Sequence, residues 1–402
     1  MTRVCLLLSA LALAAGCKPA RTTTSPGPAE PKGPSVAAAD IDINIKGRDP
    51  EARTPENLDA LLDDVRTKTS VPGIAAAVID RAGVLAIGTS GTRRADEPAE
   101  LTVDDVFHLG SDTKAMTALL VARMVEAGVL RWDMTMAEAF AGDPMHEGFR
   151  DVTLTQLMRH RSGVSTALTD LPPGIMQRLE PLSLVERRAL LTSEALAIAP
   201  RTTPGSNFEY SNFGYVVVGA AIERAVGRSW EDELKAQVFE PLSMKSCGFG
   251  PTATGDARDQ PWAHVDMKDK FVPVELDNPA FLGPAGTVHC SLADWGRFAA
   301  VFFDGASFVS SDSVDRLTSP VPKSDGRGGY ALGWAVPELE AFGIPVLTHD
   351  GSNTVNYATI VVMPTLGAAV LVAVNAGGDR AQQAAVAAAF ELAKQTRGPQ
   401  PD

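Results

Sequence analysis

Apolar positions fall at helical spacing at Leu58, Leu61, Leu62 and Val65, just after Thr54-Pro55. A Thr followed by Pro predicts an N-cap and first helical residue there, and so the start of the folded part. Two short apolar runs follow, Ile74–Ile79 and Val84–Ile87, joined by Asp80-Arg81-Ala82-Gly83, which reads as a β-hairpin. From about 105 to 320 the pattern is mostly helical, with capping-box signals at Thr153/Gln156, Ser229/Asp232 and Ser291/Asp294. Strand character returns in Tyr330–Val336, Val346–His349, Asn356–Met363 and Ala368–Val374, before an Ala-rich helix from Arg380 to Lys394. Strands at both chain ends with helices between them predict an α+β fold, an α/β sandwich. One antiparallel sheet is built from both termini and flanked by terminal helices, with a large, mostly helical domain inserted.

The N-terminus has a different pattern. Residues 1–17, MTRVCLLLSALALAAGC, place one Arg before an apolar run from Val4 to Ala15. That run is short for a membrane anchor and has the length of a signal-peptide core. Its end, Ala14-Ala15-Gly16-Cys17, resembles a bacterial lipobox, in which the Cys is acylated and becomes the mature N-terminus. Leu is usual three residues before that Cys, and Ala14 stands there, so ordinary cleavage at a small residue is the competing outcome. Residues 18–52 carry Pro, Thr, Ser, Gly and Ala with few large apolar side chains, which predicts a disordered tether. The folded domain is expected over 53–398. Export follows, with the protein lipid-anchored to the envelope through Cys17 or soluble in the periplasm.

With 402 residues, 45% hydrophobic and 21% charged, the chain has the composition of a globular enzyme. A formal charge of −13 and no local basic cluster argue against a nucleic-acid partner. The four cysteines include no C-x-x-C pair, the six histidines are scattered, and H-E-x-x-H is missing, so no metal site or cofactor is expected. No Walker A loop, G-x-G-x-x-G or G-x-S-x-G occurs.

Three short motifs carry chemistry. Ser111-Asp112-Thr113-Lys114 opens a run that is apolar nearly all round, the mark of a buried helix. Ser111 and Lys114 would lie one turn apart on one face, so that a desolvated Lys can take the proton of the Ser hydroxyl. Tyr210-Ser211-Asn212 offers a phenol that a neighbouring ammonium can draw toward phenolate, and an amide that can hold Lys114 and a substrate carbonyl. His349-Asp350-Gly351-Ser352 lies on or just after a strand; Gly351 permits close backbone approach, and the Ser352 amide can join that of Ser111 as an oxyanion hole. Each motif alone has a plain structural reading: an N-cap, a packed Tyr, a surface loop.

Together and in this order, the motifs resemble the serine β-lactamase and penicillin-binding-protein superfamily. They look most like its class C β-lactamase-like branch, which includes DD-carboxypeptidases, D-aminopeptidases and esterases. The resemblance spans about 54–395 and includes LMRHRSGV, PLSM, GPAGTVHCSLADWGRF and GWAV. It implies that Ser111 is acylated, that Lys114 and Tyr210 handle protons, and that Asn212, His349, Gly351 and Ser352 bind substrate or its oxyanion. The expected enzyme is an envelope serine hydrolase acting on an ester, amide or peptide bond of a small molecule, peptide or peptidoglycan-derived substrate. The rival is a non-catalytic lipoprotein of the same fold.

His349 stands where relatives more often carry the Lys of K-T-G. With Asp350 beside it, a substrate carboxylate would meet repulsion, so weak β-lactam hydrolysis is expected. Cys5 leaves with the signal and Cys17 is taken by lipid. Cys247 and Cys290 then remain, either as a disulfide or as two separately buried thiols. His160 reads as a loop-ordering residue.

Overall fold

The computed structural model describes residues 54–322, 328–337 and 343–397. The expected signal peptide, Cys17 and the expected tether lie outside them. The helices that matter below are α1 (Leu58–Thr69), α2 (Thr113–Glu126), α3 (Leu184–Ala197), α4 (Asn212–Val226) and α5 (Asp379–Arg397).

The central sheet has eight strands: β1 (Gly73–Asp80), β2 (Gly83–Gly91), β3 (Val321–Pro322), β4 (Gly329–Tyr330), β5 (Ala335–Val336), β6 (Leu347–Ser352), β7 (Tyr357–Met363) and β8 (Ala368–Val374). Their order, β2-β1-β8-β7-β6-β5-β4-β3, is antiparallel throughout, and β1 from the N-terminal part pairs directly with β8, Ile74 opposite Val374. Both faces of β1 are buried, which explains its unbroken apolar run. Alternation divides it: Ile74, Ala76 and Val78 meet α1 and α5, whereas Ala75, Ala77 and Ile79 meet the core shared with the helical region. On α5 the small residues Ala381, Ala384, Ala385, Ala388 and Ala389 form the packed stripe, letting the helix lie close on the sheet.

Four details depart from the sequence reading. Helix α1 starts at Leu58, not at Thr54-Pro55, because Asn57 adopts a left-handed conformation (φ 53°) that helical residues cannot precede. The stretch 330–336 is two short strands separated by a turn at Gly333 (φ 80°), which presses on α2: a Cβ there would sit 2.6 Å from the Ala115 Cα. The helical region also contains a small sheet of Val106–His108, Val288–Ser291 and Gly248–Phe249, and a hairpin of Ala263–Asp266 with Phe271–Val274. Of the three capping boxes, Thr153/Gln156 is reciprocal, while Ser229 and Ser291 accept from the N3 amide without their own amide being met by the N3 Asp; the Ser229 hydroxyl donates to Asp232 Oδ2 instead. The shorter Asp side chain does not return the bond, and the Ser291 amide goes to Ser246 Oγ instead.

Cys247 and Cys290 are joined as a disulfide, with Cα atoms 4.1 Å apart. The bridge ties the small sheet that leads into Ser111.

Candidate active site

The turn carrying Ser111 is fixed from three sides. Leu109 N–H donates to Val288 O at 2.8 Å, Val288 N–H donates to Thr113 Oγ1 at 3.1 Å, and Gly110 N–H donates to His108 Nδ1 at 3.0 Å. Two glycines let β6 touch this turn. Gly110 has φ 51°, and a Cβ on it would lie 2.4 Å from Ser352 N; a Cβ on Gly351 would lie 1.8 Å from Leu109 O. The backbone at Ser352 is thereby brought against the turn that carries Ser111.

Lys114 is wholly buried in the first turn of α2. Its Nζ lies 3.0 Å from Ser111 Oγ, 2.8 Å from Asn212 Oδ1 and 2.8 Å from the Ala285 carbonyl. Two of these three neighbours can only accept. A neutral amine has two N–H donors and one lone pair, so donation to Asn212 and Ala285 leaves the lone pair for the Ser111 hydroxyl proton. Burial brings the Lys114 pKa down to about 7, against a smaller opposing pull from Asp112.

Tyr210 precedes α4, whose N-cap Ser211 accepts from Gly214 N–H and donates to Ser165 O, fixing the Tyr-Ser-Asn turn. The Tyr210 ring centroid lies 4.8 Å from Lys114 Nζ, and its hydroxyl hydrogen-bonds Ser111. The residue remains 39% exposed, so it forms a wall of an open site. Desolvation raises the Tyr210 pKa, despite the Ser111 hydrogen bond. The phenol is therefore held in its protonated form rather than drawn toward phenolate.

A family model described as Beta-lactamase matches residues 58–394. The chain belongs to that family. Among its relatives, Penicillin-binding protein 4 of Amycolatopsis lactamdurans is 28% identical over 331 residues, covering 78% of this chain and 84% of that protein. Esterase EstB of Burkholderia gladioli is 29% identical over 53% of this chain and 56% of its own length, so the aligned part spans little more than half of that esterase. A D-stereospecific amidohydrolase from Streptomyces sp. shares the fold, with a TM-score of 0.66, 23% identity and coverage of 84% of this chain and 99% of that one. The beta-lactamase family fold, a serine-hydrolase fold, is thus shown for nearly the whole described domain.

The third motif of this beta-lactamase-family chain sits differently from expectation. His349 and Gly351 face Ser111, but the His349 ring is buried, with Nε2 3.0 Å from the Tyr330 hydroxyl and Nδ1 3.4 Å from Asp112 Oδ1. Asp350 lies on the opposite sheet face, exposed, and accepts from Thr359 Oγ1 at 2.7 Å. The repulsion argued for a substrate carboxylate through Asp350 therefore loses its geometry. Ser352 Oγ donates to Asn356 O, and only its backbone is turned to the Ser111 loop.

Asp112, Tyr330 and the Ala285 carbonyl are site components that the sequence reading missed. An acidic residue between Ser111 and Lys114 was the one visible signal for Asp112. Among the described residues no group of three His, Cys, Asp or Glu could hold a metal, and no helix is long and apolar enough to cross a membrane.

Proposed function

We propose that this protein is an exported serine hydrolase that cleaves ester, amide or peptide bonds through an acyl-enzyme on Ser111. The observation that carries this reading is the surroundings of Lys114: a sealed amine with two pure acceptors and the Ser111 hydroxyl. A cation kept there without a carboxylate hydrogen bond is costly, and a non-catalytic binder gains nothing from it. Neutral Lys114 takes the Ser111 proton as Oγ attacks the carbonyl carbon. The Ser111 and Ser352 amides receive the oxyanion. Lys114, now an ammonium, returns the proton through Tyr210 to the leaving group as the C–O or C–N bond breaks. Water then attacks the acyl-enzyme by the reverse relay. Asn212 holds Lys114 and the substrate amide or ester.

The relatives named as an esterase, a penicillin-binding protein and an amidohydrolase support this range of acyl substrates. Lipid anchoring at Cys17 and an envelope location are part of the proposal and rest on the N-terminal sequence. Labelling with a fluorophosphonate and with a fluorescent penicillin, wild type beside Ser111→Ala, tests it. Fluorophosphonate labelling of wild type alone is expected. Equal labelling of Ser111→Ala, or none of wild type by either probe, overturns the reading in favour of a binding protein.

A further inference from the structure

The buried polar groups beneath the site form a chain whose direction is fixed from both ends. At one end Ser211 N–H, next to Tyr210, donates to His160 Nδ1 at 3.1 Å. A backbone amide can only donate, so the His160 proton is on Nε2. His160 Nε2 lies 3.3 Å from the Tyr330 hydroxyl, and that hydroxyl lies 3.0 Å from His349 Nε2. At the other end His349 Nδ1 faces the Asp350 carbonyl at 2.9 Å and Asp112 Oδ1 at 3.4 Å. Both are acceptors, so His349 carries its proton on Nδ1 and its Nε2 accepts from Tyr330. The two ends agree: Ser211 to His160 to Tyr330 to His349 to the Asp112 side.

Asp112 stands between Ser111 and Lys114, is 1% exposed, and has no conventional hydrogen bond on either carboxylate oxygen among the described residues. His349 Nδ1–H bonds the Asp350 carbonyl, and Asp112 Oδ1 lies 3.4 Å from the same nitrogen, so the N–H edge of this ring, not its lone pair, faces the buried carboxyl. In the other tautomer a lone pair on Nδ1 would face the Asp350 carbonyl and Asp112, acceptor against acceptor, and the ring would be pushed from its place beside the Ser111 turn. His160 also stacks on Tyr210, ring centroids 4.2 Å apart, so one buried unit touches both motifs.

We infer that Tyr330 and His160 are positioning residues of this hydrolase, which set the tautomer of His349 so that its N–H edge, not its lone pair, faces Asp112 beneath Ser111. The inference rests on the Ser111–Lys114 reading for its catalytic consequence, but the chain itself is testable without any substrate. Two-bond ¹⁵N–¹H correlation spectra of the histidines, at pH 8, should show His349 as the Nδ1–H tautomer and His160 as Nε2–H. His349 found as Nε2–H overturns the chain, whatever the enzyme's activity.

The catalytic consequence is read from the fluorophosphonate acylation rate in a double-mutant cycle. Tyr330→Phe removes one hydroxyl and keeps the ring; it should slow acylation of Ser111 about tenfold, the scale of one lost buried hydrogen bond. In an Asp112→Asn background the same change should cost less than about twofold, because an amide there can meet either edge of the His349 ring. Equal slowing in both backgrounds would make Tyr330 a packing residue only and overturn the inference. No acylation of wild type would instead count against the proposed function, with the tautomer result still deciding the chain.

Discussion

Two basic side chains are sealed inside the described part of this molecule, and they are solvated in opposite ways. Arg188, on α3, is fully buried and held by two carboxylates: Glu223 Oε1 at 2.5 and 2.9 Å, and Glu231 at 2.7 and 2.9 Å. Burial works against its charge, but these hydrogen bonds outweigh it and raise the Arg188 pKa. Lys114 is equally buried, yet its hydrogen-bond partners are a hydroxyl, an amide oxygen and a peptide carbonyl. Burial wins there, and the pKa falls to about 7. The charged pair network is a fixed brace between α3, α4 and the residues after α4. The uncompensated amine is poised between two protonation states at working pH, which is what proton transfer needs.

Exchanging each cation for Met breaks the comparison most directly. Lys114→Met should lose about 10⁴-fold or more in acyl transfer, since removing one member of such a unit removes nearly all of it. It should nevertheless fold, and by replacing an uncompensated buried amine it should be more stable than wild type at pH 7 by about 1–3 kcal/mol. Arg188→Met should do the reverse: it strands Glu223 and Glu231 and costs about 3–5 kcal/mol, while the folded fraction still labels on Ser111. Denaturant melts beside active-site titration distinguish these outcomes. A stable Arg188→Met or a destabilised Lys114→Met would refute the contrast.

The pH dependence sharpens the same contrast. Lys114 goes from the ordinary lysine pKa of 10.5 to about 7 on folding, so between those values the unfolded chain holds the extra proton. Stability contributed by this group therefore rises with pH from about 7 toward 10.5, and below 7 the penalty of the buried ammonium is fully present. Activity should fall on acidification through about pH 7 as Lys114 takes its proton. A kcat/KM profile flat from pH 5.5 to 8.5 would show that another group serves as base. The smallest effect is expected from Asp350→Asn. Asp350 sits on the sheet face away from Ser111, so kcat/KM for neutral and carboxylate-bearing esters should change less than about threefold.

The comparison also explains what the sequence could tell. Ser111 and Lys114 were legible because helical spacing fixes their mutual position, and β1 and β8 because sheets buried on both faces read as unbroken apolar runs. Of the two alternatives left open for Cys247 and Cys290 the disulfide is the one present, and the terminal helices flank the sheet as expected. The sealing of Lys114 was not legible, since Ala285 contributes a backbone carbonyl that no side-chain pattern marks. The direction of Asp350 was settled only by extending β6 through Ser352, which turns on pairing with Tyr357. His160 was assigned a loop role and does order that loop, with φ 56°, but its ring also lies under Tyr210. Stacking between residues far apart in the chain leaves no trace in local periodicity.

The pairing of β1 with β8 has a further bearing on how the protein is made. Ile74 and Val374 meet across nearly the entire folded chain, so the middle of the sheet closes only after the last strand exists. Contacts of such long sequence separation are slow to form and come late. The helical region and its disulfide enclose shorter loops and can take shape earlier. But β6, which backs the Ser111 turn, stays anchored through β7 to β8. A partly synthesised chain therefore has Ser111 without its platform, and the site comes into being in one late step, after the chain end has arrived.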